Sequence, residues 1–331
     1  MRVLILGGTV FLGRHVVEAL LARGHEVTLF HRGRRGAELF PQLERVLGDR
    51  ATDLDRLPAS ARWDAVVDTS GFVPGVVATS ASTLRERADR YVFISTIGVY
   101  DAALPALDEA SPIVELPPGA SREEMVPETY GPLKALCERA AADAFGPERT
   151  LLVRPGLIVG PHDPSDRFTY WPLRFARGGD VLVPDDLDAA VQIVDVRDLA
   201  DFIVHAIERR TAGVVNTVGP AERLTLREML AACARASDVP SRIVPVDLTT
   251  LAAHAIGEWM DLPAWIDPNG ESVGMRDVST AHGIALGMRY RPLAQTAADT
   301  LRWARDERGD APLKAGLTPE REAAALAAVR A

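Results

Sequence analysis

Residues 2–13 read Arg-Val-Leu-Ile-Leu-Gly-Gly-Thr-Val-Phe-Leu-Gly, an apolar run that leads into a glycine turn. A nearly continuous apolar run is typical of a parallel strand covered on both faces. Helical spacing follows through Leu20 and Leu21 to Gly24, and residues 26–30 supply a second strand. A glycine turn that opens a helix directs free backbone N–H groups and the positive end of the helix dipole towards one point, where a pyrophosphate can bind. The stretch therefore predicts a strand–helix–strand unit that binds a dinucleotide.

The rest of the chain repeats this alternation of strands and helices. Further strands are predicted at residues 46–49, 64–68, 90–96, 150–153 and 213–219, with helical patterns between most of them. This order predicts an α/β fold of the Rossmann type, in which a doubly wound parallel sheet gathers ligands at the carboxyl ends of its strands.

The same pattern predicts how the chain is divided. Residues 1–155 are predicted to form the dinucleotide-binding domain, with returning elements near residues 190–218. Residues 156–306 are predicted to form mainly a smaller, mixed α/β substrate domain, followed by a tail at 307–331 with one peripheral helix. The proline- and acid-rich residues 101–127 lack periodicity and are predicted to form a flap beside the site.

The composition of the 331 residues argues against several classes of protein. The net charge of −9 disfavours a nucleic-acid partner, which requires a basic surface. The two cysteines lie far apart and lack metal-ligand spacing, so neither a disulfide nor a metal site is expected, which favours the cytoplasm. No apolar run approaches the length of a membrane span, and a strand that starts at residue 2 leaves no room for a signal peptide.

The loop after the second strand indicates the choice of cofactor. It reads His31-Arg32-Gly33-Arg34-Arg35 and contains no carboxylate. An acidic residue there would bind the ribose 2′-hydroxyl of NAD, whereas arginines can pair with a 2′-phosphate. The loop therefore predicts NADP(H), with NAD as the alternative, and Arg32 ahead of Arg34 and Arg35.

A tyrosine and a lysine four residues apart, Tyr130 and Lys134, form the catalytic signal. Residues at this spacing share one helical face, and a nearby ammonium lowers the pKa of a phenol by about 1–3 units. The only other lysine is Lys314, so chance gives any such tyrosine–lysine pair a probability of roughly 3%. The pair predicts a tyrosine that can donate or accept a proton near neutral pH.

The glycine pattern, the Tyr130 and Lys134 pair and the preceding Ser95-Thr96 together resemble the extended and atypical short-chain dehydrogenase/reductase families. The resemblance covers about residues 2–306 and implies that Thr96 binds the substrate oxygen, with Ser95 as the fallback. It also implies an adenine contact at Asp49 and a homodimer. The cofactor contacts expected on these grounds are Gly7, Thr9, Val10, Phe11, Leu12, Gly13, His31, Arg32, Arg34, Asp49, Ser70, Gly71, Lys134 and Pro155.

Residues 166–178 are predicted to form a helix that carries Arg167, Tyr170 and Trp171. Together with Trp259 and Trp265, these three side chains are predicted to line an apolar pocket with one cation. The predicted substrate contacts are Phe72, Ser95, Arg167, Tyr170 and Trp171. The favoured function is an NADP(H)-dependent oxidoreductase that reduces a carbonyl, or oxidises an alcohol, of a small molecule, with tyrosine as proton donor or acceptor.

Two alternatives remain open. The first is a nucleotide-sugar epimerase with bound NAD, although Leu157 stands where such enzymes carry asparagine and residues 269–272 do not match their diphosphate-binding stretch. Both departures indicate a less anionic substrate. The second is a non-catalytic NAD(P)- or RNA-binding protein, because the first thirty-five residues also resemble chloroplast stem-loop RNA-binding proteins; the acidic charge weighs against it. A dehydratase is disfavoured because Ile97-Gly98 offers no acid or base after Thr96.

Overall fold

The fold is that of a computed structural model, which describes residues 1–330. The strands are, in chain order, β1 (Arg2–Leu6), β2 (Glu26–His31), β3 (Glu44–Leu47), β4 (Ala65–Asp68), β5 (Tyr91–Ile94), β6 (Thr150–Pro155), β7 (Leu157–Val159), β8 (Gly179–Pro184), β9 (Ile193–Asp195), β10 (Gly213–Thr217) and β11 (Ser241–Val246). The α-helices are, in chain order, α1 (Phe11–Ala22), α2 (Pro74–Leu84), α3 (Tyr130–Phe145), α4 (Tyr170–Ala176), α5 (Val196–Glu208), α6 (Leu226–Arg235), α7 (Leu248–Ala253), α8 (Ala281–Ala285), α9 (Leu293–Asp306) and α10 (Pro319–Arg330).

The central sheet has seven parallel strands in the order β10-β6-β5-β4-β1-β2-β3. From β1 the chain first builds outward to β3 and then returns to the other side of β1 with β4. At such a reversal the connections diverge and leave a crevice at the carboxyl ends of the strands, where ligands bind. The predicted Rossmann-type fold is confirmed.

The sheet is covered on both faces because its strands are apolar on both faces. In β1, Val3 and Ile5 pack against α1 and α5, whereas Leu4 and Leu6 pack against the side that carries α2 and α3. Alternate residues of a strand point to opposite faces, so one apolar run serves both layers. This packing fixes the carboxyl end of β1, and with it the glycine turn.

A second core lies beside the sheet. β8 pairs in parallel with β11, and the side chains of α4, α6 and α9 pack with them around the fully buried Trp171 and Trp265. Helix α10 adds Ala325 and Leu326 to this core. Sequence reasoning placed a peripheral helix here, but its Glu322 is buried and accepts hydrogen bonds from the Arg174 guanidinium, at 2.6 Å for the shorter contact.

Helix α4 begins at Tyr170, four residues later than the sequence predicts. Asp166 has a left-handed backbone, with φ of 61°, and its carboxylate accepts two hydrogen bonds from Arg308. This turn interrupts the helical pattern before Arg167. Arg167 is therefore presented from a loop and not from a helix.

Candidate active site

A cavity of about 1740 Å³ opens at the carboxyl ends of the strands, on both sides of the β1–β4 reversal. Its wall includes most of the site residues that the sequence predicts. These are Gly7, Thr9, Val10, Phe11, Leu12, Gly13, His31, Arg32, Arg34, Asp49, Ser70, Phe72, Ser95, Thr96, Tyr130, Lys134, Pro155 and Arg167. Ala102, Val114 and Met125 also line it, so the predicted flap at residues 101–127 does lie beside the cavity.

The glycine turn leaves no room for side chains at its key positions. Gly7 has φ of 112°, and a Cβ there would lie 2.4 Å from Oγ1 of Thr69. A Cβ on Gly13 would lie 2.9 Å from the backbone of Gly8. Helix α1 starts from Val10, which provides no side-chain cap, and the first turn contains no acidic residue. The free N–H groups and the helix dipole thus face the cavity, an arrangement that suits a pyrophosphate.

The loop after β2 carries the cations expected to read the adenosine ribose. Arg32, Arg34 and Arg35 are exposed, and none forms an ion pair within residues 1–330. Nδ1 of His31 accepts a hydrogen bond from the Gly33 N–H at 3.0 Å, so the proton of the neutral ring is on Nε2. That nitrogen is buried without a partner within the described chain. Burial, followed by the charge of Arg45, lowers the pKa of His31 and keeps the ring neutral.

Arg50 is a cavity residue that sequence reasoning missed. Its guanidinium donates to both carboxylate oxygens of Asp68 at the end of β4, with one contact at 2.6 Å, and lies 3.4 Å from the hydroxyl of Tyr91. Burial opposes ionisation of Asp68, but the charge of Arg50 prevails and lowers the pKa of that carboxyl. The pairing joins a residue in the turn after β3 to one at the end of β4, 18 positions later, so no local motif could have indicated it.

Thr96 and Tyr130 meet where β5 ends and α3 begins. Oγ1 of Thr96 accepts a hydrogen bond from the Gly98 N–H at 3.0 Å, and the Thr96 hydroxyl lies close enough to the phenol of Tyr130 to act on its pKa. Burial raises the pKa of Tyr130, while the Thr96 hydroxyl and the charge of Arg167 act in the opposite direction. At neutral pH the phenol therefore keeps its proton and can donate it.

Lys134 lies in the same wall but does not act on Tyr130 as the sequence predicts. Its Nζ donates to the carbonyl oxygens of Gly71, at 2.8 Å, and Ile94. The same nitrogen lies 4.2 Å from the ring centre of Phe93. Burial lowers the pKa of Lys134 to about 8. The expectation that this ammonium lowers the pKa of Tyr130 is corrected, since the side chain donates instead to carbonyls at the end of β5 and on the loop after β4.

Gly71, a predicted cofactor contact, does not line the cavity. Its link to the site is the hydrogen bond that its carbonyl accepts from Lys134. Tyr170 and Trp171 do not line the cavity either, and both are fully buried in the second core. Nε1 of Trp171 donates to the carbonyl of Pro263 at 2.7 Å. Their prediction as substrate contacts is corrected: with α4 starting at Tyr170, both rings face the core while Arg167 remains at the cavity.

Residues 1–330 contain neither a metal-binding cluster nor a membrane-spanning helix. No group of three or more histidine, cysteine or acidic side chains is arranged to hold a metal ion there. Over the same residues, no helix combines the length and apolar character needed to cross a membrane.

Comparison with known proteins identifies the family of this chain. The chain matches the NAD dependent epimerase/dehydratase family over residues 3–86 and 79–218. Epimerase family protein SDR39U1 of Bos taurus is 27% identical over 264 residues, which are 73% of this chain and 83% of that protein. Sterol-4-alpha-carboxylate 3-dehydrogenase, decarboxylating, of Homo sapiens is 32% identical over 180 residues, which are 50% of this chain and 46% of that protein.

A solved structure gives the same fold with a nucleotide bound. The Bordetella bronchiseptica enzyme WbmH, in complex with NAD⁺, superposes with a TM-score of 0.66 at 20% identity, over 92% of this chain and 99% of that one. At this identity the likeness concerns the fold alone. The family match, in contrast, spans more than half of the sequence and confirms the predicted resemblance to the extended short-chain dehydrogenases/reductases. The chain belongs to the NAD-dependent epimerase/dehydratase family.

Proposed function

We propose that this chain is an NADP(H)-dependent oxidoreductase that interconverts a carbonyl and an alcohol of a small molecule. The observation that carries the proposal is that Thr96, Tyr130 and Lys134 line the same cavity as the glycine turn of residues 7–13. A sequence relative named as a 3-dehydrogenase supports the same class of reaction.

The residues present suit a dinucleotide. The cradle at Gly7 and Gly13 has no space for a Cβ, and the buried Nε2 of His31 and Oγ of Ser95 lack partners within the described residues. Gly7, Thr9, Val10, Phe11, Leu12 and Gly13 would hold the pyrophosphate. Asp49, Ser70 and Pro155 would border the rest of the dinucleotide. A bound nicotinamide supplies the hydride donor or acceptor.

Three side chains would handle the reacting oxygen. Tyr130 donates its phenolic proton to that oxygen during reduction and takes the proton back during oxidation. Thr96 holds the same oxygen by its hydroxyl, close to Tyr130. Lys134 uses two of its three N–H bonds on the carbonyls of Gly71 and Ile94, which leaves the third for a ribose hydroxyl.

The choice of NADP(H) over NAD rests on the loop after β2. Arg32, Arg34 and Arg35 are free to meet a 2′-phosphate, and the loop has no carboxylate to bind a 2′-hydroxyl. The neutral His31 adds a donor at Nε2. Neither feature favours NAD.

The test is consumption of NADPH and of NADH with a panel of aldehydes and ketones, followed by absorbance, together with fluorescence titration of both cofactors. Tyr130→Phe removes only the hydroxyl, and we expect it to retain NADPH binding and to lose about 10²–10⁴-fold in turnover. Tyr290→Phe is the matched control, because the hydroxyl of Tyr290 donates to the carbonyl of Val218 and does not line the cavity. Failure to bind either cofactor, or full activity of Tyr130→Phe, would overturn the proposal.

Each of the two alternatives predicts a different experimental result. A nucleotide-sugar epimerase would convert its substrate without net consumption of NADPH. An RNA-binding protein would retard a stem-loop RNA in a gel at physiological salt, a result that the net charge of −9 disfavours.

A further inference from the structure

Arg167 is a half-buried cation with unused donors. Its Nε donates to Oγ of Ser165 at 3.2 Å, and its guanidinium carbon lies 4.9 Å from the ring centre of Trp259. Within residues 1–330, its two terminal nitrogens make no hydrogen bond and no ion pair. The stacking and the Ser165 contact hold the planar group in one orientation, with its terminal N–H groups left for a ligand.

The other arginine at this end of the cavity is already neutralised. Nη2 of Arg276 donates to Asp186 at 2.6 Å, and its Nε donates to the carbonyl of Ile266 at 3.0 Å. Fully buried arginines of this chain follow the same rule, as Arg154 does with Glu138 at 2.6 Å. The other half-buried arginines without an ion pair donate their terminal nitrogens to backbone carbonyls, whereas those of Arg167 have no acceptor within the described residues. Because a cation removed from water gains from a counter-charge, Arg167 calls for a partner from outside the chain.

The acids near Arg167 are engaged elsewhere. Asp163 is buried, and its oxygens accept from the Ser165 N–H at 2.8 Å and from the Ser165 hydroxyl at 2.7 and 2.9 Å. It lies outside the 4.0 Å limit of an ion pair with Arg167, although the two charges still interact. Glu258 lines the cavity, and one of its carboxylate oxygens accepts from the N–H of Asp267.

We propose that Arg167 is the anchor for a single carboxylate of the substrate, bound beside the carbonyl that Tyr130 protonates. This inference rests on the proposed function and adds the substrate class. One free guanidinium presents two parallel N–H groups, which match a carboxylate bidentately. A diphosphate would require more positive charge than one unpaired arginine supplies.

Apolar side chains beside Arg167 would accommodate the body of the substrate. Trp259, Ala264, Ile266 and Met275 line this end of the cavity. Arg167 and Tyr130 line the same cavity, so one bound molecule can place its carboxylate at Arg167 and its carbonyl at Tyr130. The substrate class is therefore an apolar oxo acid or hydroxy acid with one negative charge.

The test compares acids with their neutral amides and needs no turnover. Phenylacetate and hydrocinnamate are titrated beside phenylacetamide and hydrocinnamamide by calorimetry, with and without NADP⁺. We expect at least one acid to bind wild-type protein about tenfold to a hundredfold more tightly than its amide. Arg167→Gln should bring that ratio close to one, and Arg167→Lys should restore part of it because it keeps the charge but not the fork.

Arg276→Gln is the matched control, since it removes the same charge from the same end of the cavity but from an arginine that is already paired. We expect it to keep the preference for acid over amide. If no acid binds wild-type protein better than its amide, or if Arg276→Gln and not Arg167→Gln abolishes the preference, the inference is wrong. The proposed function fails separately, through loss of NADPH binding or through activity that does not depend on Tyr130.

Discussion

At the cofactor end of the cavity, Arg32, Arg34 and Arg35 extend into solvent without an ion pair in the described chain, whereas at the substrate end Arg167 is half-buried and stacked on Trp259. An exposed cation loses little when it is unpaired, because water and salt screen it. A half-buried cation with fixed orientation has more to gain from one well-placed anion. We therefore expect each exposed arginine to add a small increment to the selectivity for NADPH over NADH, whereas Arg167 alone determines the preference for a carboxylate.

The largest expected effect is on the free energy of unfolding, and it distinguishes a structural arginine, Arg154, from Arg167. Arg154 is 2% exposed and donates to both carboxylate oxygens of Glu138 and to the hydroxyl of Tyr100. Arg154→Gln leaves the Glu138 charge buried and alone, so we expect the free energy of unfolding to fall by about 3–5 kcal/mol. Arg167→Gln should change it by less than about 1 kcal/mol, because no ion pair is broken.

Urea denaturation of the two variants and the wild type measures both effects on one scale. An equal loss of stability in Arg167→Gln and Arg154→Gln would mean that Arg167 is a structural residue. The contrast between the two ends of the cavity would then disappear.

The next effect concerns Lys134, which lies between the two ends. Its pKa is about 8 in the folded protein and 10.5 ordinarily, so burying the ammonium costs about 3 kcal/mol below pH 8. Between these two values the unfolded chain binds more protons than the folded one, and the stability contributed by Lys134 rises with pH. Methionine cannot titrate, so the stability of Lys134→Met relative to wild type should fall by about 3 kcal/mol from pH 8 to 10.5.

Unfolding in urea at several pH values gives this difference directly. The hydrogen bonds lost with Lys134 shift the difference by a constant and do not alter its slope. A difference that stays level across the range would show that the ammonium is well solvated in the folded protein.

Sequence reasoning works best where the chemistry is local. The glycine turn at residues 7–13 and the pair Tyr130 and Lys134 each lie within one short segment, and the backbone geometry of that segment brings the groups to the cavity. The same holds for the arginine loop after β2, whose position follows from the end of one strand. In these cases the fold class alone predicts the site, because a doubly wound sheet brings the carboxyl ends of its strands to one edge.

It fails where distant segments compete for a side chain. Helical spacing placed Lys134 beside Tyr130, but its ammonium donates hydrogen bonds to the carbonyls of Gly71, on the loop after β4, and Ile94, on β5. Arg50 was missed because it lies in the turn after β3, whereas its partner Asp68 ends β4, 18 positions later. Tyr170 and Trp171 were misassigned because a turn at Asp166 delays the helix, and no local pattern predicts that Arg308 would bind there.

The glycine turn at residues 7–13 provides a smaller effect that tests the cofactor end of the cavity. A Cβ on Gly13 would lie 2.9 Å from the backbone of Gly8, so Gly13→Ala must open the turn and displace the N–H groups. Overpacking of this kind costs about 1–3 kcal/mol, and we expect NADPH affinity to fall roughly tenfold to a hundredfold. Gly75→Ala is the matched control, because a Cβ there meets nothing within 4 Å.

Fluorescence titration with NADPH distinguishes these two variants, and acid binding at Arg167 should be unchanged in both. Unaltered NADPH affinity in Gly13→Ala would mean that the phosphates bind elsewhere. The arginines after β2 would then have no structural reason to contribute to NADPH binding.

The smallest expected effect is on cofactor choice. Arg32 is exposed, so its attraction to a 2′-phosphate is worth about 0.2–1 kcal/mol, as for exposed ion pairs generally. We expect Arg32→Ala to weaken NADPH binding about twofold to fivefold, to leave NADH binding unchanged, and to lose its effect as salt is raised. Adding Arg34→Ala should weaken NADPH binding further, because it removes a second cation from the same phosphate. If NADH affinity falls as much as NADPH affinity, the arginines are not reading the phosphate, and the two ends of the cavity do not differ in the way their charges suggest.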